Sequence, residues 1–411
     1  MRILLLTPHY PPEIRSVSRL MVELAQDLRA AGHDVTVVAP FPPPDGAGPG
    51  ALDRMPARER TGGIQVIRVR TMPFVHVAPW LRAVTHFTLA GALTLGALSA
   101  GRHHAVVAYV PPLTIGLTCD LLRRVWGAPY ILNVQDIYPQ ALIDLGLARQ
   151  RLVVEILRWI EQYSYRHAGA ITVHSEGNRR LLLERGLDAG KVHIVHNWVD
   201  TAAIRPGLRA NGFRASLGLG DEFVVLFAGV LGYAQDIDVI LEAARLLRAY
   251  EGIVFILAGD GVRKAQAVEQ AAAWGLRNVR FLPFQPLEVY PQLVTMSDVC
   301  LVTLQKSVTT PVVPSKIMTI MAAGRPIVAT VDSGGDAYEV IAGSGGGVCT
   351  PPGEPAALAE AILALYRDPA LRQRAGEAGR RFAEMHFDRR AVTAVYARLL
   401  AELRGHADGR R

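Results

Sequence analysis

The feature that most constrains this chain is an alternation of short apolar runs with helix-periodic segments, sustained from one end to the other. Ile3–Thr7 reads as a buried strand and Val17–Ala31 as a helix carrying Leu20, Leu24 and Leu28 on one stripe. Gly32 is its stop, and Val35–Ala39 is the next strand. Strand, crossover helix and strand make one parallel unit. Further strands are expected at Ile64–Arg70, Ala105–Tyr109, Tyr130–Val134 and Ala170–His174. The pattern then restarts with Phe223–Ala228, Ile253–Ala258, Val279–Leu282, Val299–Thr303, Ile327–Thr330 and Gly347–Cys349. Helices are expected over Ile237–Arg248 and Arg263–Trp274. Two such sets of about 190 residues each predict an α/β protein with two Rossmann-like doubly wound domains facing across a cleft. A composition shift near His196–Pro206 puts the first domain at 1–200, closed by a C-terminal helix at about 386–405, and the second at 201–385. Pro40–Pro56, rich in Pro and Gly, is expected to be a surface loop.

Composition narrows the function. Half of the residues are apolar and 20% are charged, as in a folded globular protein. The formal charge is +7, with 21 basic against 16 acidic residues in 1–200 and 23 against 21 in 201–411. No basic run is interleaved with aromatics, so no nucleic-acid partner is expected. Cys119, Cys300 and Cys349 are too sparse and dispersed for a disulfide framework or a metal site. The N-terminal run ends at Pro8 without the length or cleavage site of a signal peptide, so a cytoplasmic location is expected. The apolar run Phe87–Ala100, about fourteen residues, is too short to span a bilayer comfortably, and it ends a longer apolar stretch, Phe74–Ala100, with Trp80 and Phe87. Lying in the more basic half, it suggests peripheral contact with the inner face of the cell membrane; a buried helix is the alternative.

Several segments suit the chemistry of an anion. Gly229–Asp236 joins a strand to a helix, and its glycines let free main-chain N–H groups approach a phosphate. Its spacing is not that of a dinucleotide fingerprint, which disfavours a nicotinamide dehydrogenase. Asp236-Ile237-Asp238 has the form of a metal-binding D-x-D pair, but it falls where a helix N-cap and first turn belong, and that reading is preferred. Lys316, one of four lysines, stands in the first turn of a helix starting near Ser315, where the helix dipole disfavours a cation unless an anion is within reach. Ser333–Asp336 is a second backbone-rich anion pocket candidate. In the first half, Gln135 and Asp136 end a buried strand: Asp136 could orient or deprotonate a hydroxyl, and Gln135 could hydrogen-bond a sugar. Glu13 and Arg15 lie between the first strand and first helix, where Arg15 could contact a phosphate.

Seven segments in order carry a family resemblance: Thr7–Glu13, Ala31–Val35, Val134–Pro139, His196–Asp200, Ala258–Gly261, Val313–Lys316 and Ala322–Pro326. Across nearly its whole length the chain resembles the GT4 family of retaining glycosyltransferases with the GT-B fold. It looks closest to the bacterial fucosamine-transferase-like and colanic-acid-type subgroup of surface polysaccharide synthesis. That resemblance implies transfer of a hexose or N-acetyl-hexosamine-type sugar from a nucleotide diphosphate donor, UDP being the expectation. The acceptor would be a glycan or a polyprenyl-diphosphate-linked sugar. It implies donor contacts from Gly232, Tyr233, Gln235, Arg263, Phe281, Leu282, Ser315 and Thr319, catalytic roles for Asp136, Gln135 and Lys316, and no cofactor or metal. The strand-end histidine and the ribose-binding glutamate common in the family appear here as Gln135 and Thr319. Two alternatives keep the same plan: a non-catalytic partner subunit, and a nucleotide-sugar epimerase.

Overall fold

In a computed structural model the protein is described over residues 1–13, 15–42, 55–72, 79–140, 143, 150–286 and 288–408. Most of the expected Pro40–Pro56 loop, the start of the Phe74–Ala100 stretch and the side chain of Trp80 lie outside the described residues. The chain divides into two compact units, 1–196 with 390–411, and 197–389.

The first unit is built on β1 (Arg2–Leu6), α1 (Ser16–Ala30), β2 (Asp34–Pro40), β3 (Arg58–Thr61) and β4 (Ile64–Val69). It continues through α2 (Pro79–Ser99), β5 (Ala105–Val110), α3 (Thr114–Trp126), β6 (Tyr130–Val134), α4 (Arg151–His167), β7 (Ala170–Val173), α5 (Glu176–Glu184) and β8 (Val192–Ile194). The sheet order is β3-β4-β2-β1-β5-β6-β7-β8, parallel except for β3. β3 and β8 were not anticipated. The four residues Arg58-Glu59-Arg60-Thr61 have no apolar pattern, because they form a charged edge strand that discourages further pairing.

The second unit runs α6 (Gly212–Ser216), β9 (Phe223–Ala228), α7 (Ile237–Leu246), β10 (Ile253–Ala258), α8 (Lys264–Ala273) and β11 (Val279–Leu282). It continues through α9 (Tyr290–Thr295), β12 (Val299–Thr303), α10 (Lys316–Ala322), β13 (Ile327–Thr330), α11 (Asp336–Ser344), β14 (Gly347–Thr350), α12 (Pro355–Arg367) and α13 (Pro369–His386). Its strands are parallel in the order β11-β10-β9-β12-β13-β14. β9 and β10 are buried at every residue, which is why they read as unbroken apolar runs rather than alternating ones. The chain winds outward from β9 in one direction and from β12 in the other, so β9 and β12 flank the switch point where open parallel sheets bind ligands.

The last helix, α14 (Arg389–Asp408), packs on the first unit. Tyr396 Oη lies 3.1 Å from Thr172 Oγ1 on β7, and Thr393 Oγ1 donates to Asp27 on α1 at 2.8 Å. The second unit is closed by Arg380 of α13, which donates to Ala322 O at the C-terminus of α10, where a cation complements the helix dipole, and to Thr201 O.

A buried ion cluster braces the start of β12. Asp298 accepts from Arg209 Nε at 2.7 Å and from the Val224 amide at 2.8 Å, with Arg214 Nη1 3.9 Å away. Asp298 and Arg214 are almost wholly buried. Removing one member leaves a buried guanidinium uncompensated, a loss of about 3–5 kcal/mol. Asp298→Ala is therefore expected to lower the unfolding free energy of the second unit, measured by urea titration, by that amount, and a loss of less than about 1 kcal/mol would contradict the account.

Candidate active site

The C-terminal ends of β9, β10, β11, β12 and β13 share one edge of the second sheet, and main-chain contacts weld their loops together. The Gly229 amide donates to Ala258 O at 2.9 Å, Leu231 N to Asp260 O at 2.8 Å, and Gly259 N to Leu282 O at 3.0 Å. Gln305 N, after β12, donates to Ala234 O at 2.9 Å, bridging the switch point. The packing demands glycine. A Cβ on Gly259 (φ +151°) would lie 1.8 Å from Gly229 O, and one on Gly261 (φ +149°) 2.3 Å from Leu231 O.

Into this edge rises Lys316. Helix α10 buries Ile317, Met318, Ile320 and Met321, so it is held from all sides and fixes the lysine at its first turn. The lysine Nζ is buried and finds no hydrogen-bond acceptor among the described residues. It lies 3.6 Å from the centroid of the Phe227 ring, and a Cβ on Gly229 would come within 3.1 Å of it. Glycine at 229 therefore lets the lysine head pack against the backbone there, where a side chain would crowd it. Burial pulls the Lys316 pKa down to about 7, opposed weakly by Cys300. That fall means the charged form is disfavoured by on the order of 5 kcal/mol relative to water. A desolvated cation–π contact returns on the order of 2 kcal/mol.

The other expected donor contacts are distributed around this point. Gly232 is buried, and its amide points at Gln235 Oε1 across a long 3.3 Å contact. Tyr233 is exposed at the same loop. Asp236 caps α7 by accepting from the Val239 amide at 3.2 Å, and Asp238 pairs with Arg263 at 2.7 Å. The two carboxylates of the D-x-D segment are thus engaged in holding a helix start and an arginine. Ser315 makes no side-chain cap, and Thr319 is buried on α10. Phe281 and Leu282 are half-buried at the end of β11, beside the exposed Phe284.

The Ser333–Asp336 pocket needs correction. Its glycine amides already serve Asp332: Gly334 N donates to Asp332 Oδ1 at 2.7 Å and Gly335 N to Asp332 O at 3.0 Å. Asp336 and Glu339 also occupy the first turn of α11. A loop satisfied by its own carboxylate is a turn, not an anion receptor.

In the first unit, Glu13 and Arg15 follow β1 while Gln135 and Asp136 follow β6, two strands away in the sheet. Glu13 is buried, with Oε2 2.9 Å from His9 Nδ1 and Oε1 3.5 Å from Arg15 Nε. His9 was not anticipated; it lies four residues before Glu13, a spacing that carries no signal outside a helix. Gln135 turns back on its own strand, donating to Asn133 Oδ1 at 2.7 Å, while its carbonyl faces His174 Nε2 at 3.0 Å. Asp136 stays exposed, although desolvation by its surroundings raises its carboxyl pKa. Also unanticipated were Phe227 beneath Lys316 and the buried hydroxyls of Thr303 and Thr330, neighbours in register at the ends of β12 and β13.

Comparison with known proteins agrees with this fold. Residues 17–198 match the model for a glycosyl transferase 4-like domain and residues 211–382 that for glycosyl transferases group 1. WcaI of Escherichia coli (strain K12), a glycosyl transferase named for colanic acid biosynthesis, is 28% identical over 407 residues, spanning 95% of this chain and 98% of that one. Sucrose-phosphate synthase from Thermosynechococcus elongatus superposes with a TM-score of 0.80 at 19% identity, covering 98% of this chain and 99% of its own. HepE of Anabaena, solved in complex with UDP-glucose, gives 0.74 at 19% identity, covering 98% and 100%. These structures share the GT-B fold.

Gly259→Ala tests the welded edge. With no room for the added methyl and a left-handed backbone, it is expected to destabilise the second unit by about 2 kcal/mol or more. Gly353→Ala, at φ +75° but with nothing within 4 Å, serves as the control that carries backbone strain alone. Equal melting shifts for the two would refute the steric argument.

Proposed function

The chain belongs to the glycosyltransferases that join a 4-like domain to a group 1 domain, and on that premise we propose that it transfers a hexose or N-acetyl-hexosamine-type sugar from a UDP donor, with retention of configuration, onto a glycan or polyprenyl-diphosphate-linked acceptor of bacterial surface polysaccharide synthesis. One observation carries the donor half of this reading: an ammonium buried at the switch point, opposite glycine backbone, with no protein acceptor among the described residues. A diphosphate supplies the missing charge.

In this reading the diphosphate lies over Gly229, accepting from Lys316 Nζ and from the Gly232 amide. The 3.3 Å contact of Gln235 to that amide is longer than an ordinary N–H···O bond, so a phosphate oxygen displaces it readily. The base stacks by Phe281 and Leu282, and Tyr233, Ser315 and Thr319 border the sugar and ribose. Arg263 acts through its pair with Asp238 to hold the start of α7. The bond from the anomeric carbon to the diphosphate oxygen breaks first, leaving an oxocarbenium-like centre, and the ammonium and amides stabilise the departing anion. The acceptor hydroxyl attacks from the same face, and its proton passes to the released diphosphate oxygen. Asp136 and Gln135, with Glu13 and Arg15, orient the acceptor. Positive charge comes from the protein itself, so transfer is expected to proceed in the presence of EDTA.

Lys316→Ala is expected to lower the rate of sugar transfer from UDP-sugar by about 100-fold or more, the size of losing one preorganised electrostatic donor, with the fold retained. Full activity in that variant would end the proposal. Titration gives a second readout. Free Lys316 loses its proton as pH rises through about 7, whereas the diphosphate-bound form keeps it. UDP binding at pH 8 is therefore expected to take up close to one proton, measured by calorimetry in buffers of different ionisation enthalpy, and affinity is expected to weaken as pH climbs above 7. Zero proton uptake would show that the ammonium does not meet the diphosphate.

A further inference from the structure

Three neighbouring helices of the first unit face outward with apolar side chains. Helix α2 buries Leu89, Leu93 and Ala97, which is the stripe a surface helix needs. Its opposite side is also apolar: Val84, Phe87, Gly91, Leu95 and Leu98 are exposed at helical spacing. From Val84 to Ser99 the helix carries no Asp, Glu, Lys or Arg. On α3, Leu121 and Val125 are exposed, and on α4 Leu152, Ile156 and Trp159, with Trp159 stacked on Tyr163 at 5.4 Å.

These helices form one layer. Thr118 Oγ1 of α3 donates to Ala90 O of α2 at 3.0 Å, and Thr94 Oγ1 donates to Thr118 Oγ1 at 3.1 Å. Tyr163 Oη of α4 donates to Asp120 of α3 at 2.7 Å, and Gly116 admits Ser164 so closely that a Cβ would lie 2.3 Å from its Oγ. The exposed charge on this layer is predominantly positive. Arg124, Arg151, Arg158 and Arg166 face solvent, whereas Asp120 and Glu161 are buried, the latter paired with Arg185 at 2.8 Å. Glu155 is the one exposed acid on α2, α3 and α4 among the described residues. No helix among the described residues is long and apolar enough to cross a membrane.

We infer that the outer face of α2, α3 and α4 is a docking surface for an anionic lipid bilayer. Phe87, Leu95, Ile156 and Trp159 enter the interfacial zone, and Arg151 and Arg158 meet headgroup phosphates. Arginine stems can lie along apolar surface while their guanidinium groups reach phosphate, and an indole suits the boundary between headgroup and chain. A second copy of this chain fits less well, because a two-fold contact would set the arginines of one face against those of the other. The surface lies on α2–α4 and uses no residue of the proposed transfer site, so it stands independently of that reading.

The test uses the full chain without donor, sedimented with vesicles of phosphatidylcholine alone or with about 30% phosphatidylglycerol. Binding is expected to the anionic vesicles and to weaken with added salt. The double variant Ile156→Ser, Trp159→Ser is expected to lose about tenfold or more in affinity. Arg151→Glu with Arg158→Glu is expected to lose binding to the anionic vesicles selectively. All four side chains are exposed, so the melting temperature is expected to hold. Absence of binding by the unaltered protein, or equal binding by both double variants, overturns the inference. So does lipid-free self-association in sedimentation velocity that Ile156→Ser, Trp159→Ser abolishes.

Discussion

An ammonium held out of water without a carboxylate beside it is the constraint around which the second unit is arranged. Lys316 can occupy that position only because α10 is buried on all sides, because Phe227 offers a ring face, and because residue 229 lacks a side chain. Each requirement passes outward into the fold. Phe227 and Gly229 follow one another out of β9, so β9 must end there. The close approach of Gly259 to the Gly229 carbonyl then sets where β10 ends. Arg380 and Gly324 fix the far end of α10: Arg380 donates to the Ala322 carbonyl, and Gly324, at φ +65°, stops the helix. A site that rests on one desolvated charge needs this much scaffolding, since misplacing the ammonium by an ångström would return it to water or bury it against an apolar wall.

The first unit handles its polar groups differently. Gln135 is engaged on both its side chain and its backbone, and Glu13 is shared between His9 and Arg15. These groups lean on one another, and the buried carboxylate has cationic or imidazole neighbours, which suits positioning a neutral hydroxyl better than gripping an anion. The contrast supports a division of labour in which one unit supplies uncompensated positive charge and the other supplies directed hydrogen bonds.

Much of this was legible in the sequence, and the reasons are physical. Strands buried on both faces announce themselves as apolar runs, and β6, β9, β10, β12 and β13 coincide with the runs that predicted them, as does the half-buried edge strand β11. β3 left no such mark, because an exposed edge strand is selected for charge rather than apolarity. Lys316 was visible because a cation in a helix's first turn opposes the dipole. Its partner was not: Phe227 lies 89 positions earlier, and nothing local links the two. Ser333–Asp336 misled for the converse reason. Glycines before a helix look alike whether their amides await a phosphate or already hold Asp332, and only the turn geometry separates the cases.

The choice of lysine at 316 is itself informative. Of 44 basic residues in the chain only four are lysine, so the composition strongly favours arginine wherever either would serve. Here arginine would not serve. A guanidinium is planar and broad, whereas the Lys316 ammonium sits 3.6 Å from the Phe227 ring centroid and so near residue 229 that a Cβ there would come within 3.1 Å of it, which leaves room for a compact head group only. A guanidinium also keeps its proton at any physiological pH, so its burial would carry the full desolvation cost whether or not an anion were present. An ammonium whose pKa falls to about 7 shares its time between charged and neutral forms, and in the proposed reading it becomes fully charged when the diphosphate binds. The position therefore selects a cation that can be put away, and that property, rather than positive charge alone, is what the fold around α10 protects.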